Sequence, residues 1–180
     1  MKIAQIQISR VVPTTDGISK IIPPLGGRIC REINIQVRSG QLSREMVMAA
    51  GPDTPEDSSI FRMNFQAPTS GGESLILLNY RNGGSLSQAL VWAMGFYLER
   101  TNPIHILSMG MKYRGFHHQV RMDPTCVVNT EDFFSNHEAQ VCKIYWYHTK
   151  RKVCLESIPR CESPGVWFAF IDKSEYRLKR

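Results

Sequence analysis

No stretch of this chain is both long and apolar enough to reach the roughly 20 residues of a membrane span. Its first residues, Met1-Lys2-Ile3-Ala4-Gln5-Ile6-Gln7-Ile8, lack the continuous apolar core of a secretory signal. These two absences predict a protein made and kept in the cytosol or nucleus. Cysteine is sparse: Cys30, Cys126, Cys142, Cys154 and Cys161 are odd in number and widely spaced, which argues against a disulfide framework. Free cysteine packs as a small hydrophobe, so several of these are expected to be buried thiols. There is no internal repeat, no low-complexity tract and no linker long enough to divide two domains. Phosphate-cradling motifs are missing as well. Leu25-Gly26-Gly27, Ser70-Gly71-Gly72 and Asn82-Gly83-Gly84 lack the following Lys and Ser/Thr of a P-loop, and no Rossmann fingerprint is found, so these glycines are read as turns.

What is present is ordinary in bulk and biased in charge. The chain has 180 residues, enough for one domain with a real core. Its 42% hydrophobic and 21% charged content is that of a globular protein. The formal net charge of +6 and the sequence pI of about 9.2 favour anionic partners such as nucleic acid or acidic lipid headgroups.

The strongest local pattern starts at Gly83-Gly84-Ser85. Leu86, Ala89, Leu90, Ala93, Met94, Tyr97 and Leu98 recur at helical spacing, with Ser85 as the natural N-cap. Asn102-Pro103 reads as its stop, so one main helix is predicted over about residues 85–101. Leu90 and Met94 fall on its apolar stripe, and Trp92 lies one position off it, at the edge. The rest reads as strands: 3–9 (or an extended arm), 29–38, 61–66, 74–80, 104–109, 112–121, a hairpin of 139–148 and 151–158, and 166–171. Residues 44–50 are read as a strand in preference to a helical turn, and 122–138 as mostly loop. The sum is a single α+β domain at 28–180, an antiparallel sheet packed by one main helix, with an extended N-terminal arm at 1–27. Within the arm, Ile21, Ile22, Pro23, Pro24 and Leu25 form an apolar strip in a segment too broken for a core element. It either docks on a second copy or folds back over its own domain.

Catalytic signatures are weak. No serine sits in a Gly-x-Ser-x-Gly elbow, and pairings among Cys126, His137, Cys142 and His148 lack their usual motif contexts. Neither an enzyme nor a cofactor is expected. Zinc is the sharper chemical alternative, because His137, Cys142, His148 and Cys154 lie within eighteen residues with Cys161 close behind. There is no Cys-x-x-Cys knuckle, and a buried cysteine beside a rim histidine explains the same residues. The basic residues carry more. Lys112, Arg114 and Arg121, with His117 and His118, fall on one predicted strand; Lys150, Arg151 and Lys152 form a hairpin tip with Tyr145 and Tyr147 as neighbours; Arg177, Lys179 and Arg180 close the chain. They either contact phosphates or headgroups, or form a solvated turn and tail.

Ser87-Gln88-Ala89-Leu90-Val91-Trp92, then Phe96-Tyr97, then Arg100-Thr101-Asn102-Pro103-Ile104-His105-Ile106-Leu107 resemble the middle of rhabdovirus matrix proteins, where a Trp-bearing helix runs through a break into a strand. Gly165-Val166-Trp167-Phe168 before a short basic end resembles their closing strand. Pro23-Pro24 is followed by Leu25-Gly26 in place of a Pro-Pro-x-Tyr budding motif, and the likeness is nearer to plant-infecting, cytorhabdovirus-like members. The resemblance implies a structural protein of the virion and host cytoplasm, with membrane or nuclear association. Such a protein self-assembles, condenses the viral nucleoprotein–RNA, and links it to an anionic membrane surface and to the viral glycoprotein tail. The alternative reading is a cytosolic RNA-binding protein of the silencing-suppressor type, with or without zinc.

Overall fold

Leu75-Ile76-Leu77-Leu78 are four consecutive residues that are all fully buried, so the strand carrying them, β2 (Gly71–Tyr80), has apolar cover on both faces. The computed structural model describes residues 21–37, 40, 42–66, 70–135, 138–158 and 163–173. Within them the order is β1 (Gly27–Val37), α1 (Arg44–Ala50), a 3₁₀ turn (Ser59–Arg62), β2, α2 (Leu86–Gly95), β3 (Glu99–Arg100), α3 (Pro103–Lys112), α4 (Phe116–Val120), β4 (Thr125–Val128), β5 (Phe133–Ser135), β6 (Glu138–Tyr147), β7 (Lys150–Ser157) and β8 (Val166–Asp172). The strands make one open sheet in the order β1-β2-β8-β4-β6-β5, with β7 on the other edge of β6 and β3 beside β8. This is a single mixed α/β domain.

The expected fold class holds in outline and fails in its helix count. Residues 104–109, read as a strand, are the body of α3, and residues 44–50 are α1. Residues 112–121 are the end of α3, a turn and α4. Asn102-Pro103 starts a helix. Asn102 is its N-cap, its side-chain oxygen accepting from the Ile104 and His105 amides, and Pro103 sits in the first turn where its missing N–H costs nothing. Residues 103–110 are all buried, so α3 shows no polar stripe from which a helical period could be read. At Gly110 an added Cβ would lie 2.4 Å from the Ile144 side chain and 3.2 Å from Ala50, so α1 and β6 can approach α3 this closely only because that residue is glycine.

α1, α3 and α4 lie on one face of the sheet. Ile104, Ile106, Leu107, Val47 and Phe116 pack there against Ile33, Leu77, Ile144, Trp146 and Ala169. α2 lies on the opposite face, where Leu86, Ala89 and Ala93 meet Leu78, Val166, Phe168 and Phe170. Ser85 caps α2 as expected, in a capping box with Gln88, but the helix ends at Gly95, and Tyr97 turns the chain with a left-handed φ of 56°. Trp92 is half-buried at the sheet, as its place on the stripe's edge implies, edge-on to Phe170 with centroids 5.9 Å apart. Met94, expected in the core, is 75% exposed.

The strand read at 61–66 is a 3₁₀ turn through Arg62 followed by irregular chain, and the segment 122–138 departs as well. It supplies β4, an interior strand that runs parallel to β8 and antiparallel to β6, so the sheet is not purely antiparallel. All four β4 residues are buried, which removes the alternation that marks a half-exposed strand. A polar knot fixes this crossing. The Thr101 and Thr130 hydroxyls each donate to the Ala169 carbonyl at 2.8 Å, and Asn129 accepts from the Cys142 amide at 2.6 Å while donating to the Thr101 carbonyl. The strand expected at 3–9 and the tail beyond 173 lie outside the described residues.

Candidate nucleic-acid interface

Alternation along β6 sends Cys142, Ile144 and Trp146 into the core and Lys143, Tyr145 and Tyr147 to the α2 side. α2 covers the β2–β8 half of that side; among the described residues no helix lies over the β6–β7 half, where Tyr147, Lys150 and Lys152 are exposed while Lys143 and Glu156 are mostly buried. Cross-strand register then does the chemistry. Tyr145 stands opposite Lys152 and Tyr147 opposite Lys150. Tyr145 and Tyr147 stack with ring centroids 6.3 Å apart and planes 21° from parallel. The ammonium of Lys152 lies 5.4 Å from the Tyr145 ring and that of Lys143 5.9 Å from it, both within cation–π range. The result is a row of two aromatic faces flanked by lysines.

Lys143 was not among the residues singled out from the sequence. It forms an ion pair with Glu156. Burial is the largest single influence and opposes its charge, but the Glu156 hydrogen bond together with the nearby Cys154, Cys126 and Glu156 groups outweighs it and holds the ammonium above its ordinary range. The alternation of lysine and tyrosine over residues 143–147, set against 150–152, is the signal that could have found it.

The predicted basic set divides. Lys150 and Lys152 are exposed beside the tyrosines. Arg151 is only 9% exposed and turns to the opposite face, its Nη2 donating to the Ala49 carbonyl at 3.1 Å. Lys112 is at the end of α3, donating to the Asn34 carbonyl of β1, away from the hairpin. Arg114 is exposed in the α3–α4 turn, where its carbonyl accepts from Trp146 Nε1. Arg121 closes α4 with a left-handed φ of 54° and lines a cleft that Tyr145 also lines. Arg177, Lys179 and Arg180 lie outside the described residues.

The described members of the zinc alternative do not come together. Cys142 is fully buried in the α3-side core, and burial pushes its thiol far above the ordinary range. Cys154 pairs with Lys143 in register, on the other face. His148 has left the strand with a φ of 53°; its Nδ1 is 3.0 Å from the Asp123 carboxylate, which also accepts from its backbone amide. Among the described residues no three His, Cys, Asp or Glu are placed to hold a metal. His137 and Cys161 lie outside them.

The apolar strip at 21–25 is also divided. Ile21 is 8% exposed against its own domain, and the Ile22 carbonyl accepts from Trp92 Nε1 at 2.9 Å, while Leu25 is fully exposed. The strip therefore folds back on α2, and β1 begins at Gly27. Exposed Val91, Met94 and Tyr97 extend an apolar surface along and just beyond α2. No described helix is long and apolar enough to cross a membrane. Compared with family models, curated proteins and solved structures, the chain finds no match.

Proposed function

We propose that this protein binds single-stranded nucleic acid, free or within a ribonucleoprotein, through the open β6–β7 face, and that it acts by binding and not by catalysis. The observation that carries this reading is the stacked Tyr145–Tyr147 pair with a lysine opposite each ring. Every base has a π-face, so an aromatic row accepts successive bases without regard to sequence, and lysines along it meet the backbone phosphates. The +6 net charge acts in the same direction over longer range.

The test is fluorescence anisotropy with an oligouridine of about ten nucleotides across a salt series. Tyr147→Ala is expected to weaken binding by about 5- to 100-fold, the worth of one base–aromatic stack. The double variant Lys150→Ala, Lys152→Ala is expected to lower the salt slope by about 1.4, two phosphate contacts on a single strand. Unchanged affinity and slope in both variants would remove the reading.

A second reading has its own observation. The rhabdovirus matrix role requires self-association, and the exposed apolar residues along and just beyond α2 supply a surface for it. On that reading the lysine–tyrosine face meets viral ribonucleoprotein or anionic headgroups, and α2 meets another copy.

A further inference from the structure

Beside the tyrosine row, the segment 121–126 and the loop 163–165 enclose a cleft of about 480 Å³. Tyr145 belongs to both, because it stands opposite Cys126 on one side and Lys152 on the other. The walls are apolar and flat: Tyr145, Met122, Pro124 and Pro164. They are also fixed in place. The Cys126 amide donates to the Gly165 carbonyl at 2.9 Å, and buried Asn79 donates to the Pro164 carbonyl at 2.6 Å. The two sides meet so closely at Gly165 that an added Cβ would lie 3.0 Å from the Pro124 carbonyl oxygen. A cleft held by backbone bonds loses little entropy when it is filled.

Its rim carries charges of both signs, Arg121 and Asp123. Arg121 lines it, and the Arg28 guanidinium contacts the Met122 sulfur from the other side. Arg28 stacks over Trp167 at 5.0 Å and lies near Arg81; burial first, and then Arg81, lower its pKa from the ordinary arginine value. Asp123 is the acidic group lining the cleft, and His148 engages its carboxylate through the backbone amide and Nδ1. Flat apolar walls with an arginine at the mouth fit a ligand that is an aromatic plane at one end and a phosphate at the other. The volume lies within the range of pockets that take one small molecule.

We propose that this cleft is a mononucleotide subsite. One nucleotide of the bound strand leaves the row at Tyr145, inserts its base between Tyr145 and the proline walls, and sets its phosphate on Arg121. The inference rests on the nucleic-acid reading above and adds to it: strand binding alone needs no cleft, whereas a subsite makes the protein bind single nucleotides as well.

The experiment titrates the full chain with the four nucleoside 5′-monophosphates, uridine and inorganic phosphate separately, following backbone amide NMR shifts. Monophosphates are expected to shift Arg121, Cys126 and Gly165, and uridine or phosphate alone to bind at least about tenfold more weakly. Arg121→Asn keeps a residue that tolerates the left-handed backbone and removes the charge; Ser163→Trp fills the mouth from an exposed position. Both are expected to weaken monophosphate binding about tenfold or more. If monophosphates at millimolar concentration shift none of these amides while oligouridine still binds with Tyr147 dependence, the subsite is overturned and the face stands. If inorganic phosphate reproduces every shift, the cleft is an anion site and the nucleotide assignment falls. If neither oligouridine nor monophosphate binds, both readings fall together.

Discussion

The guanidinium of Arg151 ends at the Ala49 carbonyl of α1, while its backbone amide donates to the Asp53 carboxylate at 2.7 Å. One residue thereby ties the β6–β7 hairpin to α1 and to the loop after it. Period-two alternation dictates this, since Lys150 and Lys152 take the open face and the residue between them must take the other. Truncation to alanine removes a charged donor from a part-buried hydrogen bond to the Ala49 carbonyl, and the packing of a long aliphatic stem. Arg151→Ala is expected to destabilise the fold by about 2–3 kcal/mol in urea unfolding. Lys150→Ala and Lys152→Ala are expected to stay within about 0.5 kcal/mol of the parent. The three successive charges are legible in the sequence as a basic tip. Which of them faces the core is decided by strand register, and that becomes clear only once the turn is placed at His148-Thr149.

At the scale of elements, α3 shows how a capping device carries chemistry. Asn102 and His105 cap each other at its start: the Asn102 side chain accepts from the His105 amide, and the Asn102 amide donates to His105 Nδ1 at 3.1 Å. Nδ1 also lies 2.8 Å from the Asn102 side-chain oxygen, so a proton on Nδ1 exchanges a bond accepted from the amide for one donated to that oxygen. His105 is 2% exposed, and burial lowers its imidazole from the ordinary value, with Lys173 acting in the same sense and Glu73 and Asn102 opposing. A folded-state pKa below the unfolded one means that the unfolded chain binds the extra proton first. Stability is therefore full above about pH 6.5 and falls as the pH drops below it. His117, lowered by burial and by His118 with Asp123 opposing, adds to the same slope. His105→Gln retains a capping-box side chain and does not titrate, so its stability measured from pH 7 to pH 5 is expected to fall less than the parent's. Equal slopes would show that the capping histidine is not what titrates. The legibility of elements follows burial. α2, exposed on one side and capped by Ser85, and the β6–β7 hairpin, alternating in and out, can be read from sequence. β4 and residues 103–110 of α3 cannot, because a run buried at every position has no alternation of inside and outside.

At the scale of the whole molecule, the helices cover the sheet unevenly. Among the described residues, three helices close one face, and α2 closes only half of the other. The open half carries charge and tyrosine, and the outer side of α2 carries apolar residues, so two chemically distinct surfaces share one side of the protein. The apolar surface is not core misplaced to solvent. α2 buries Leu86, Ala89 and Ala93 beneath it, and Trp92 pins residue 22 beside it. The sequence stripe correctly named that helix but assigned Met94 to its buried side, because a helix whose contact residues include two alanines lies close to the sheet and leaves its longer side chains at the rim. If this surface joins two copies, as the matrix reading requires, charge placed on it must abolish association without touching stability. Val91→Lys with Met94→Lys is expected to melt within a degree or two of the parent, since both positions are exposed. Light scattering behind size exclusion is expected to give a mass that rises with concentration for the parent and stays monomeric for the double variant. Oligouridine binding should survive in both, because the tyrosine row is not altered. A parent that remains monomeric at every concentration, with and without oligouridine, removes the assembly role and leaves a protein that binds nucleic acid as a single copy.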